Sequence, residues 1–134
     1  MPLNLMEHYL VLSDDMELTR DFYIDVLGLQ DGFRPELGFP GYWLYLDKIP
    51  VLHIAEWLSY TAHSEKLGIP VTTRAQGTGA FDHIAFNGTE PEDMVKCLEK
   101  HNIAHERNDV PHASLVQFFL NDPNGVKIEL NFSV

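Results

Sequence analysis

The chain has 134 residues, 45% hydrophobic and 22% charged, with 20 acidic against 9 basic side chains and a formal net charge of −11. This length suits one domain that needs neither disulfides nor metal to fold, and the acidic surface repels phosphate backbones and anionic lipid, which argues against nucleic acid or a membrane as partner. Cys97, the only cysteine, cannot close an internal disulfide, no apolar run approaches the roughly 20 residues that cross a bilayer, and MPLNLMEHYL has no basic segment leading into a long apolar one, so a cytoplasmic protein is expected.

In chain order, His8 opens a strand-like run, His8-Tyr-Leu-Val-Leu12. Asp14-x-x-Glu17 is a capping-box pattern and predicts a helix from about Met16 to Leu27, with Leu18, Phe22 and Val26 inward and Gly28 as its stop. Three short strands follow, Asp31 to Leu37, Tyr42 to Leu46 and Val51 to Glu56, the last two joined by the turn Asp47-Lys-Ile-Pro50. Residues 57–79 are rich in Ser, Thr and Gly and lack periodicity. They read as a linker, either partly ordered on the surface or a mobile cover.

The pattern then repeats. His83-Ile-Ala-Phe86 is strand-like, and Thr89-x-x-Glu92 opens a helix over about Glu90 to Lys100, with Met94, Cys97 and Leu98 inward and Asn102 as its stop. Strands are predicted at Ile103 to Arg107, Leu115 to Leu120 and Val126 to Phe132, the last two joined by Asn121-Asp-Pro-Asn-Gly125. His8 and His83, Asp14 and Thr89, and Glu17 and Glu92 are each 75 residues apart. The second turn is one residue longer, so His53 pairs with Glu129 at a spacing of 76. The chain is therefore expected to be an α+β domain of two βαβββ modules, residues 1–56 and 80–134, around one linker.

Taken singly, His8, His83 and Glu129 read as surface or hydrogen-bonded strand residues. Glu129 lies on the polar face of a strand whose other face carries Val126, Ile128, Leu130 and Phe132. His53 sits in the apolar run Val51-Leu-His-Ile-Ala55, where an unpartnered imidazole is costly. Taken together, the four occupy matching positions of two repeats, and packing about a pseudo-two-fold axis would converge them on one cavity. Two imidazoles and a carboxylate form a facial ligand set that leaves positions open for substrate; it suits Fe(II), with Mn, Ni and Zn as alternatives. Phe39, Tyr42, Trp43, Tyr45, Phe118 and Phe119 lie on or beside the inner strands, and one or two lining the cavity would suit a small aromatic ligand. His63, His101 and His105 read as surface residues and His112 as an exposed loop histidine. There is no Gly-x-Ser-x-Gly elbow, Cys-x-x-Cys, His-Glu-x-x-His or phosphate-binding loop.

The segments His8-Tyr-Leu-Val-Leu12, Arg20-Asp-Phe-Tyr-Ile-Asp-Val-Leu-Gly28, Asp82-His-Ile-Ala-Phe86 and Asp122-Pro-Asn-Gly-Val-Lys-Ile-Glu-Leu130 resemble the vicinal oxygen chelate superfamily, which groups glyoxalases, extradiol dioxygenases, epimerases, and fosfomycin and bleomycin resistance proteins. The resemblance covers nearly the whole chain. It implies paired βαβββ modules forming an open, barrel-like mixed sheet around a metal cavity with the helices outside, and a homodimer. By likeness to the extradiol dioxygenases the ligands fall on His8, His83 and Glu129. Where glyoxalase-like members place a carboxylate, this chain has His53, which is expected to act as a fourth ligand or as a catalytic acid or base. The expected activity is dioxygenase-like, on a small substrate such as an aromatic diol. A glyoxalase-like lyase or isomerase and a non-catalytic binding protein are the alternatives.

Overall fold

The computed structural model describes residues 2–134, and the chain divides into two compact units after Arg74. In the first unit the elements are β1 (Tyr9–Ser13), α1 (Met16–Asp25), β2 (Gln30–Asp31), β3 (Gly41–Leu46), β4 (Ile49–Glu56) and α2 (Trp57–Leu67). Its sheet has the order β1-β4-β3-β2, with β1 parallel to β4 and the other pairs antiparallel. The second unit contains β5 (His83–Gly88), α3 (Pro91–Lys100), β6 (Glu106–Val110), a 3-10 turn at Pro111–Ala113, β7 (Leu115–Asn121) and β8 (Lys127–Ser133). Its sheet has the order β5-β8-β7-β6 with the same pattern of directions. Each unit is thus a βαβββ module with a mixed sheet, as the repeat predicts. The repeat extends to strand register: Leu10 and Trp43 flank His53 as Ala85 and Phe119 flank Glu129.

Period-two alternation sets the faces. In β4, Leu52 and Ile54 are buried on the side where α1 packs on β3 and β4, and Tyr23, Val26, Leu29 and Leu44 complete that core. In β8, Ile128, Leu130 and Phe132 are buried, and Val116, Phe118 and Leu120 of β7 join them. His53 and Glu129 alternate onto the opposite faces. Among the described residues no helix is long and apolar enough to cross a membrane.

The helices correct the sequence reading in register. The N-cap of α1 is Asp15, whose carboxylate accepts from the Leu18 amide at 3.0 Å, while Asp14 pairs with Arg74. The shift of one position rotates the inward stripe, so Thr19, Tyr23 and Val26 are buried and Leu18 is 57% exposed. A buried Ser13–Thr19 hydroxyl pair at 2.9 Å fixes this rotation at the β1–α1 joint. In the second unit Thr89 is not the cap either. Glu90 fills that place in the left-handed region without a side-chain cap bond, and Pro91 starts the helix with its pre-set φ. Cys97 is half-buried rather than buried, with Leu98 the fully enclosed residue of α3.

Two further segments take a more definite form. The strand expected at Asp31 to Leu37 shortens to Gln30–Asp31, because Pro35 has no amide for a ladder and the Arg34 side chain bonds the Phe39 carbonyl, turning the chain into a loop. Residues 57–79, read as a linker that is either partly ordered or a mobile cover, are ordered over their first half, where α2 forms and ends at Gly68 in the left-handed conformation. Replacing the true cap, Asp15→Ala, should cost about 1 kcal/mol in urea unfolding, while Asp14→Ala, which removes an exposed, solvent-screened ion pair, should leave the unfolding midpoint unchanged. The reverse order would reject this assignment of the cap.

Candidate functional site

In the first unit the site is a stack of three rings. His53, at the middle of β4, lies between His8, with ring centroids 3.7 Å apart and planes 15° apart, and Trp43, at 4.2 Å and 9°. Trp43 is the direct antiparallel neighbour of His53, and His8 stands one residue before β1, which pairs with β4 on its other side. The His53 Nε2 is buried with no hydrogen-bond partner. Burial pushes the His53 pKa down to about 4, reinforced by His8 and Arg34 and opposed by a hydrogen bond to the Pro50 backbone and by Glu7, so the ring is neutral at neutral pH. The Nδ1 of His8 lies 2.9 Å from Glu7 Oε1.

The second unit carries a matching arrangement. His83 is the first residue of β5, and its Nδ1 lies 2.8 Å from Asp82 Oδ2. Asp82 also meets Lys127 Nζ at 2.8 Å; Lys127 and then His83 hold its carboxyl below the usual carboxylate range. The Nε2 of His83 lies 3.5 Å from Glu129 Oε1. Glu129 is mostly enclosed, and its Oε2 accepts from Asn131 Nδ2 at 2.8 Å. Behind it, Gln117 Nε2 donates to Asn131 Oδ1 at 3.0 Å, and Asn108 Nδ2 donates to Gln117 Oε1 at 2.8 Å. This amide chain crosses β6, β7 and β8 on one sheet face, because Asn108, Gln117 and Asn131 are register partners.

Of the expected site residues, the first unit brings His8 and His53 together and the second brings His83 and Glu129 together. Within either unit, among the described residues, no three His, Cys, Asp or Glu side chains gather to hold a metal. In both units the acidic residue just before the histidine takes Nδ1 and leaves Nε2 for another partner. That is the usual support for a metal-binding imidazole. Sequence reasoning missed Glu7 and Asp82, although they share the 75-residue spacing and were legible in it. It also missed Asn131, Gln117 and Asn108, for which only the register gives a signal.

The histidines expected at the surface are each half-buried and partnered, apart from His112, which is exposed in the 3-10 turn. His63 packs on Phe39 at 4.7 Å, His101 bonds the Cys97 carbonyl at the end of α3, and His105 bonds the Ile103 carbonyl near Phe118. These are local structural roles.

Comparison with known proteins places this architecture. The protein YaeR of Escherichia coli (strain K12) is 24% identical over 139 residues, covering 96% of this chain and 95% of its own. A lactoylglutathione lyase from Agrobacterium tumefaciens shares the fold with a TM-score of 0.64 at 15% identity, over 98% of this chain and 96% of that one. A variant of the fosfomycin resistance protein FosX from Listeria monocytogenes, in complex with Mn(II) and 1S,2S-dihydroxypropylphosphonic acid, does so with a TM-score of 0.71 at 12% identity, over 100% and 95%. Residues 5–130 match the family model itself, and the chain belongs to the glyoxalase/bleomycin resistance protein/dioxygenase superfamily.

Proposed function

We propose that this chain is a divalent-metal enzyme in which His8 and His83, through their Nε2 atoms, and Glu129 hold the ion, and that it acts on a small substrate through two neighbouring oxygen atoms. The observation that carries this reading is the repeated acid–imidazole pair, Glu7 with His8 and Asp82 with His83. The donor set fits a facial two-histidine, one-carboxylate site, and Fe(II) is the first choice, with Mn, Ni and Zn as alternatives. Such an ion supplies Lewis acidity toward two adjacent substrate oxygens and, as Fe(II), access to O₂ chemistry.

The residues around it have separate tasks. Glu7 and Asp82 hold the Nδ1 protons and so present the unprotonated Nε2 atoms. Asn131 takes one oxygen of Glu129 and leaves the other facing His83. His53, neutral and with a free Nε2, hydrogen-bonds a substrate oxygen, and the His8 and Trp43 rings fix its plane. The reaction we infer is dioxygenase-like, with a vicinal diol such as a catechol as substrate.

Anaerobic loading with Fe(II), followed by O₂ uptake across a panel of catechols, tests the reaction. His53→Ala should keep most of the metal and lose about 10²-fold or more in turnover, the scale of a positioned acid or base. A lyase or isomerase reading is favoured by one feature: His53 is the register equivalent of Glu129, so the first unit carries a further donor at the position where the second carries its carboxylate. On that reading His53→Glu would raise isomerase activity on a hemithioacetal. We expect no such gain; a gain with no O₂ uptake on any diol would overturn the dioxygenase assignment.

A further inference from the structure

Three of the four arginines are neutralised by a carboxylate: Arg20 by Asp21, Arg74 by Asp14 and Arg107 by Asp109. Arg34 is the exception. It is half-buried, and among the described residues no carboxylate lies within ion-pair distance of it. Among the described residues its one hydrogen bond runs from Nη2 to the Phe39 carbonyl at 2.9 Å, and its guanidinium lies over the Phe39 ring at 4.8 Å. Nε and Nη1 therefore have no acceptor among the described residues. In a chain of net charge −11, a partly desolvated cation that feels Glu36 only at a distance and has no carboxylate in contact is an outlier that calls for an anion.

Its position is built into the fold. Gly41 lies two residues before Trp43 in β3, on the sheet face that carries His53; a Cβ there would overlap the Ile54 carbonyl oxygen, and would meet Arg34 Nη2 and Nε at 3.0 and 3.1 Å. The close approach of β4 already excludes a side chain at position 41, and the guanidinium lies against the bare strand this leaves. The segment that carries it is pinned to the same face, because the Tyr45 hydroxyl donates to the Phe33 carbonyl at 2.7 Å and the Gly32 amide to the Trp43 carbonyl at 3.2 Å. Adjacent positions on one strand face are about 7 Å apart, roughly the distance across a benzene ring and its substituent.

We propose that Arg34 is a carboxylate-binding residue that makes this protein selective for substrates carrying an acidic group beside the oxygen pair. One Nη2 hydrogen goes to the Phe39 carbonyl, so Nη1 and the remaining N–H groups of the planar guanidinium are left as charge-assisted donors to a carboxylate, and the Phe39 ring beneath it keeps water from one side. The proposal rests on the vicinal-oxygen reading for the rest of the substrate, and the experiment separates the two. Mn(II)-loaded full-length protein is titrated calorimetrically with catechol, with 3,4-dihydroxybenzoate and with benzoate, for the wild type, Arg34→Gln and Arg34→Lys, and melting of each variant reports its folding.

We expect the wild type to bind 3,4-dihydroxybenzoate at least about tenfold more tightly than catechol and to bind benzoate weakly but saturably. Arg34→Gln should lose both effects while its catechol affinity stays within about twofold, and Arg34→Lys should recover part of the preference. Equal affinities for the two diols in the wild type, or an unchanged preference in a folded Arg34→Gln protein, would overturn the role of Arg34. Benzoate binding through Arg34 without any catechol binding would uphold the anion site and remove the metal-diol reading; binding of neither ligand would remove both.

Discussion

Replacing His83 by alanine is expected to take bound divalent metal from about one ion per chain to near zero, because one of three protein ligands is lost and two donors hold such an ion weakly. The consequence reaches stability. A ligand that binds only the native state adds RT ln(1 + [M]/Kd), about 2.7 kcal/mol at a hundredfold excess over Kd, so the wild type should melt higher with Mn(II) or Fe(II) present and the variant should not. The metal-free proteins should differ by no more than about 0.5 kcal/mol, since His83 sits exposed at the start of β5 and buries little. Asp82→Asn tests the supporting shell separately. It removes the carboxylate at Nδ1 and should weaken metal about 10- to 100-fold while leaving the ligands in place. Elemental analysis of dialysed protein and melting with and without metal check both variants; wild-type metal content in His83→Ala would reject the assignment of the ligand.

The second large effect concerns the cores. Leu52 and Ile128 occupy the same position of the repeat, each on a strand hydrogen-bonded to a neighbour on both sides, and both are 0% exposed. Truncating either to alanine removes three side-chain carbons and leaves a cavity that strands hydrogen-bonded on both edges cannot collapse into. Each should cost about 2–5 kcal/mol, a large share of the roughly 5–15 kcal/mol that holds a domain of this kind together. Melting should fall by about 4 °C for every kcal/mol at this chain length. Leu18→Ala, on the exposed side of α1, should stay within about 0.5 kcal/mol. A loss at Leu18 comparable to that at Leu52 would restore the inward stripe expected from the sequence and contradict the rotation fixed by Asp15 and Thr19.

The sequence by itself determined the features that repeat or alternate. The 75- and 76-residue spacings identified two βαβββ modules, and strand register bears them out, because equal patterns of apolar residues and turns pair their strands in the same way. The alternation from Lys127 to Phe132 by itself puts Glu129 on the polar face, and the burial of β8 alternates in the same way. Helices α1 and α3 were legible to within a few residues, since caps and stops are local signals. Which face of α1 turns inward was decided by tertiary structure, through a buried hydroxyl pair between residues 13 and 19 that no periodicity announces. Helix α2 was invisible because its stability comes from packing on β4 rather than from an amphipathic pattern of its own. The stacking of His53 between His8 and Trp43, the amide chain behind Glu129 and the unpaired Arg34 over Gly41 join residues 7 to 45 positions apart; pairings across a sheet are set by strand order and register, so they became visible only once the chain was folded.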